Sequence, residues 1–265
     1  LGGEHQRRDG RGVLQRGAGD LRGVHNAGFN EVFELIGGDV VTNVALRAED
    51  FFDHHAAVDA GIRAERANGV FDGATHDLGA ERFVALPEGS AGNGIRFDRS
   101  GRMYVADYTA HKIHRIDPVT REVEQVVHEG RMNQPNDLAI AANGTLYASD
   151  PNWKDSTGQL WRIDPQGKAH READGMGTTN GIEVSPDGRR LYVNESVQRR
   201  IWVFDIRSDG SLEHRRLFKE FPDHGFDGMR CDVDGNLYAT RHGKGVVVKL
   251  SPAGEIIREI DVLGP

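Results

Sequence analysis

The chain has 265 residues, enough for one large domain or two small ones with a sizeable core. A formal net charge of −8 and a pI near 5.8 argue against nucleic acid or an anionic membrane as partner, and are compatible with a cation-binding pocket. The single cysteine, Cys231, excludes an internal disulfide framework, and no run of 18 apolar residues offers a membrane span.

Residues 1–80 follow no regular repeat and are expected to be an atypical segment, partly disordered or helical. Within it, residues 29–44 suit a strand or short helix, and residues 49–66 have helix-compatible spacing through Phe52, Ala56, Ala60 and Ile62. Asp53-His54-His55 resembles a metal-binding run, but neighbours on a helix point to different faces, so a surface position is the simpler reading. The N-terminus lacks a charged segment followed by an apolar one. No secretory signal is therefore visible, and a cytoplasmic location is favoured.

Residues 81–265 read differently. One phrase occurs four times, opening at Asn93-Gly94-Ile95, Asn136-Asp137-Leu138, Asn180-Gly181-Ile182 and Asp227-Gly228-Met229. A glycine stands eight residues after each opening (Gly101, Gly144, Gly188, Gly235), followed shortly by an apolar-Tyr pair. The openings lie 43, 44 and 47 residues apart, and a fixed period of that size means an array of equivalent units. The units fall near residues 85–130, 131–175, 176–222 and 223–265. In the second, the strands are expected at 138–140, 145–149, 159–163 and, raggedly, 168–171, with Asn143-Gly144 as the first turn. Third strands of the other units are expected at 112–116, 201–204 and 246–250. Four short antiparallel strands per unit predict an all-β fold, a β-propeller with four recognisable blades. Four copies are too few to close most propellers, so the chain is expected to be a fragment or a fusion, incomplete at both ends.

The leading residue of each copy stands just before the innermost strand, where equivalent positions converge on the propeller axis. Asn93, Asn136, Asn180 and Asp227 thus form an oxygen-only donor set of low charge, which suits Ca²⁺ or, with more water retained, Mg²⁺. No His or Cys stands there, so a tetrahedral zinc site is not the first choice. Taken singly, each Asn-Gly reads as a turn opener bonding its own backbone; four in-phase copies favour a site. Asp107, Asp150, Asn194 and Glu195 follow second strands, where turn and blade-edge hydrogen bonding is the simpler reading. Trp153, His224 and His242 fall in loops near the expected mouth as substrate-shaping residues.

From residue 83 onward the chain resembles the gluconolactonase, senescence-marker and luciferin-regenerating enzyme family of six-bladed propellers. The resemblance is carried by Asn180-Gly181-Ile182 with residues 185–194, by Asp227-Gly228-Met229-Arg230-Cys231-Asp232, and by Pro135-Asn136-Asp137. It implies a metal-dependent lactonase using one divalent cation, Ca²⁺ first, with Mg²⁺, Mn²⁺ and Zn²⁺ as alternatives. It further implies Asn180 and Asp227 as metal ligands, Asn136 at metal or substrate, and Asp137 beside it in the pocket. Asp227 is also the implied general base for water attack on the lactone. Asn93, Asp137, Trp153 and His224 are the expected substrate contacts. The family's Glu-Gly-Pro-x-Trp phrase is absent; one repeat before Asn93 stands Glu49, which is either that missing ligand or part of a solvated helix face. An Arg often precedes the Asn-Asp pair by two residues in the family; Gln134 stands there in this chain. The expected partner is a small lactone, and the expected state a monomer or small homo-oligomer. A non-catalytic binding propeller, or an inactive fragment of such an enzyme, is the alternative.

Overall fold

The computed structural model describes residues 32–36, 40–46 and 83–262. Strands β1 (Val32–Ile36) and β2 (Val40–Leu46) pair as an antiparallel hairpin. Glu49 and the cluster at Asp53 lie outside the described residues.

The remaining sixteen strands form four four-stranded antiparallel sheets, each built from consecutive strands. Blade 1 holds β3 (Gly92–Phe97), β4 (Met103–Asp107), β5 (Lys112–Ile116) and β6 (Val123–His128). Blade 2 holds β7 (Leu138–Ile140), β8 (Leu146–Asn152), β9 (Thr157–Ile163) and β10 (Ala169–Met176). Blade 3 holds β11 (Thr179–Val184), β12 (Arg190–Glu195), β13 (Arg200–Ile206) and β14 (Leu212–Glu220). Blade 4 holds β15 (Met229–Cys231), β16 (Leu237–Arg241), β17 (Val246–Leu250) and β18 (Ile256–Asp261). The fold is a β-propeller.

The four in-phase glycines make the first turns. Gly101, Gly144, Gly188 and Gly235 have φ of 83°, 86°, 71° and 81°, a left-handed region that costs glycine nothing and other residues about 1 kcal/mol or more.

The core lies between blades. Tyr104 and Ile113 of blade 1 pack with Leu138 and Trp161 of blade 2. Tyr147 and Leu160 of blade 2 meet Ile182 and Val193 of blade 3. Tyr192 and Ile201 of blade 3 meet Met229 and Val248 of blade 4. Each sheet therefore buries both faces of its middle strands, and its outermost strand is largely exposed. Blade 2 departs from the others in one respect. β8 and β9 run on beyond the expected strands to Asn152 and Thr157, carrying Trp153 out on a raised hairpin.

Candidate metal centre

Every leading residue sits on a β-bulge. In blade 1, Gly92 pairs with Asp107 and Ile95 with Val105, so Asn93 and Gly94 together face Ala106. Asn180 and Gly181 face Asn194 in the same way. In blade 2, Asn136 N–H donates to the Ser149 carbonyl and Ser149 N–H to that of Asp137 (2.8 and 3.0 Å). Asp227 and Gly228 make the matching pair of bonds with Thr240 (3.2 and 3.1 Å). A bulge frees backbone groups from the ladder and re-aims side chains. The freed N–H groups point sideways: Gly94 N–H donates to the Asn136 carbonyl (2.7 Å) and Gly181 N–H to the Asp227 carbonyl (3.2 Å). The bulges of blades 1 and 2, and those of blades 3 and 4, are thus stitched together through their backbones.

This contact explains the glycine after the leading residue better than a turn does. Neither Gly94 nor Gly181 has a positive φ. A methyl group on Gly94 would lie 2.6 Å from Asp137 Cα, and one on Gly181 would collide with the Asp227 carbonyl oxygen. The glycines are there for close approach between blades.

The segment entering each bulge is pinned by one buried charged residue at the end of the second strand. Asp107 accepts from Ala91 N–H (3.0 Å). Asp150 accepts from the N–H groups of Asn133 (2.8 Å) and Gln134 (2.6 Å), and from Gln159 and Trp161 side chains. Glu195 accepts from Gly177 N–H (2.7 Å). Blade 4 inverts the polarity: Arg241 donates to the Asp223 and His224 carbonyls and to the Asp223 carboxylate. Burial alone would raise Asp107, but hydrogen bonds from His114, Ser90 and the backbone bring it down to about 2. At Asp150 burial outweighs its donors and pushes the carboxyl up.

Below the bulges, the fourth residues of the phrase are Arg96, Ala139, Glu183 and Arg230. Arg96 crosses from blade 1, pairs with Asp137 of blade 2 and donates to the Ile182 carbonyl of blade 3 (3.1 Å). Glu183 lies 3.8 Å from Arg96 and 3.3 Å from Arg230. Burial pushes Glu183 up to about 8, against the pull of Arg96 and with the push of Asp137.

These contacts separate the expected site residues. Asn136 and Asn180 are both 4 % exposed, Asn93 and Asp227 are half-buried, and all four occupy equivalent bulges on adjoining blades. The Asn136 side-chain oxygen is buried without a hydrogen-bond partner in the protein. Trp153 N–H donates to Gln134 Oε1 (3.3 Å), and exposed His224 lies in the segment entering the blade 4 bulge. His242 is exposed in the β16–β17 turn. Asp137, expected beside Asn136 as a substrate contact, is engaged by the protein itself. It is 1 % exposed, and its oxygens accept from Arg96, Leu138 N–H and Ile182 N–H, so its carboxylate ties three blades together.

Residues 73–264 match the SMP-30/Gluconolactonase/LRE-like region. The chain belongs to that family. Within the SMP-30/gluconolactonase/LRE-like family, the chain is 34 % identical over 189 residues to a gluconolactonase of Zymomonas mobilis, covering 62 % of this chain and 52 % of that protein. It is 25 % identical over 201 residues to the diisopropyl-fluorophosphatase of Loligo vulgaris, covering 66 % and 64 %. The solved structure of a gluconolactonase from Xanthomonas campestris superposes with a TM-score of 0.57 at 28 % identity, covering 65 % of this chain and 63 % of that one. The chain spans about half to two thirds of the length of these relatives. Among the described residues no helix is long and apolar enough to cross a membrane.

Proposed function

We propose that the chain hydrolyses a lactone with a divalent cation held by Asn136, Asn180 and Asp227. The observation that carries this reading is the buried Asn136 Oδ1 with no partner, at one of four equivalent bulges that each present an oxygen-bearing side chain. An orphaned buried acceptor costs about 1–3 kcal/mol, and coordination of a cation offsets that cost. Amide oxygens with one carboxylate fit Ca²⁺ first, ahead of Mg²⁺, Mn²⁺ and Zn²⁺. Likeness to proteins named gluconolactonase supports a sugar lactone as the substrate class.

A bound cation would supply Lewis acidity toward the lactone carbonyl oxygen. Asp227, the carboxylate of the set, takes a proton from the attacking water as general base. The water oxygen bonds to the acyl carbon, the ring C–O bond breaks, and the ring oxygen leaves with the proton that Asp227 took, which restores the carboxylate. A sugar lactone and water thus give the aldonic acid. Asn93, and Trp153 and His224 at the same end of the blades, are assigned to substrate positioning. Glu49 is the remaining candidate ligand.

A second reading, ligand binding without turnover, is favoured by the single carboxylate in the leading set, a weak hold on a divalent ion. A pH-indicator assay on a panel of gluconolactone and other lactones, with and without chelator, separates the two. Chelator-sensitive acid release supports the enzyme; calcium binding with no acid release from any lactone supports the binder.

A further inference from the structure

We infer that Asn194 is a positioning residue for Asp227, an inference that rests on the metal-site reading above. Asn194 stands on β12 opposite the Asn180–Gly181 bulge, and it is fully buried. Its equivalents in the other blades are Ala106, Ser149 and Thr240. Ser149 and Thr240 serve their own blades: Ser149 Oγ accepts from Asp137 N–H (3.0 Å) and Thr240 Oγ1 donates to the Gly228 carbonyl (3.1 Å). Asn194 reaches across to the next blade, where Nδ2 donates to the Asp227 carbonyl at 2.6 Å.

The same carbonyl also receives Gly181 N–H at 3.2 Å. Asp227 is therefore held by two donors from blade 3, whereas the Asn136 carbonyl has the Gly94 N–H from blade 1 (2.7 Å). The added clamp falls on the one leading residue that carries a charge. Asn194 Oδ1, meanwhile, is buried with no hydrogen-bond partner. Stability alone gives no reason for an amide at this position, because an unsatisfied buried oxygen is unfavourable and an apolar side chain of like volume would avoid it. What the amide supplies is reach from this position: the equivalent Ser149 and Thr240 hydroxyls bond within their own blades, whereas the longer Asn194 side chain spans to the next. Asn194 fixes the backbone of Asp227, and through it the carboxylate's place among the donors. Neither the repeat nor any single motif reveals this, since the contact runs between blades.

The test compares the full chain with Asn194→Ser, Tyr147→Phe and Asp227→Asn by calcium calorimetry, urea unfolding of the chelated proteins, and Tb³⁺ luminescence lifetimes in H₂O and D₂O. Serine is the blade 2 residue at this position, so the fold has a precedent for it; Asn194→Thr, the blade 4 residue, is the second variant and carries the same expectation. Tyr147→Phe is the control, because Tyr147 also bonds a neighbouring blade's backbone carbonyl, that of Gly210 at 2.7 Å, away from the bulges. Asn194→Ser is expected to weaken calcium binding about tenfold, the equivalent of one hydrogen bond, and to add one water to bound Tb³⁺. Tyr147→Phe should lose unfolding midpoint and leave both calcium affinity and Tb³⁺ hydration at the starting values. Wild-type affinity and hydration in Asn194→Ser and Asn194→Thr, or equal weakening by Tyr147→Phe, overturns the positioning role alone. Equal weak binding by the unmodified chain and Asp227→Asn overturns the metal site, and this role with it.

Discussion

Arg96 of blade 1 and Asp137 of blade 2 form a two-point ion pair, 3.0 Å at each contact, with both side chains at 5 % exposure or less. The pair passes between inner strands at the level where blade 2 has only Ala139, and Arg96 continues to the Ile182 carbonyl of blade 3. Removing one partner of such a pair strands the other as a buried charge, which costs about 3–5 kcal/mol. Arg96→Met is expected to lose that much in urea unfolding. The double variant with Asp137→Asn should recover part of the loss, and strictly additive losses would show that the two residues act independently.

The two kinds of glycine should respond differently to alanine. Gly144, with φ of 86° and open space around it, is expected to lose about 1 kcal/mol from backbone strain. Gly181 has an ordinary φ, yet its new methyl would meet the Asp227 carbonyl, so Gly181→Ala must push two blades apart and should cost about 2–3 kcal/mol. Unfolding midpoints measure both, and equal costs would contradict the close-approach account.

Much of this arrangement is legible in the sequence. Strands β5, β7 and β17 fall at residues 112–116, 138–140 and 246–250 as the apolar pattern predicts, because most of their positions are buried. The outer strand of blade 2 runs from Ala169 to Met176, well past the expected 168–171. Its face is partly solvated, so burial imposes no alternation that would mark its end. The leading Asn and Asp positions stand out through their period alone. Their companions stand out only as acids that follow second strands, with hydrogen bonding as the simpler reading but no sign of the partners. Asp107, Asp150 and Glu195 hold backbone N–H groups of incoming segments, and backbone partners leave no sequence signature. Arg241 conceals the series further by replacing the acid with a cation that holds carbonyls instead. Asp137 reads as a residue beside Asn136, and the fold adds that Arg96, from 41 residues earlier, pairs with its carboxylate.

The pinning acid of blade 2 gives a third prediction. Asp150→Leu would leave the N–H groups of Asn133 and Gln134 and the side chains of Gln159 and Trp161 without their acceptor. The expected loss is about 3 kcal/mol or more by urea unfolding. Asp150→Asn retains an acceptor oxygen and should lose less; equal losses would mean that the pin is not what Asp150 contributes.

Glu183 sets a pH dependence. In the unfolded chain its carboxyl titrates near 4.5, whereas in the fold burial beside Asp137 keeps it protonated to about 8. Between those values the folded state holds the extra proton, so this group's contribution to stability falls as pH rises. Glu183→Gln, which cannot ionise, should flatten that decline in unfolding midpoints measured from about pH 5 to 9. An unchanged slope would place the ionised form of Glu183 between Arg96 and Arg230.

The central claim is that Asp227 and a divalent cation together open a lactone ring. Its most direct test is the initial rate of gluconolactone hydrolysis by chelator-treated protein as calcium is returned, above the uncatalysed rate. The account predicts a calcium-dependent rate for the intact chain and none for Asp227→Asn. Equal rates for the two proteins, or a rate indifferent to chelator and calcium, would contradict it.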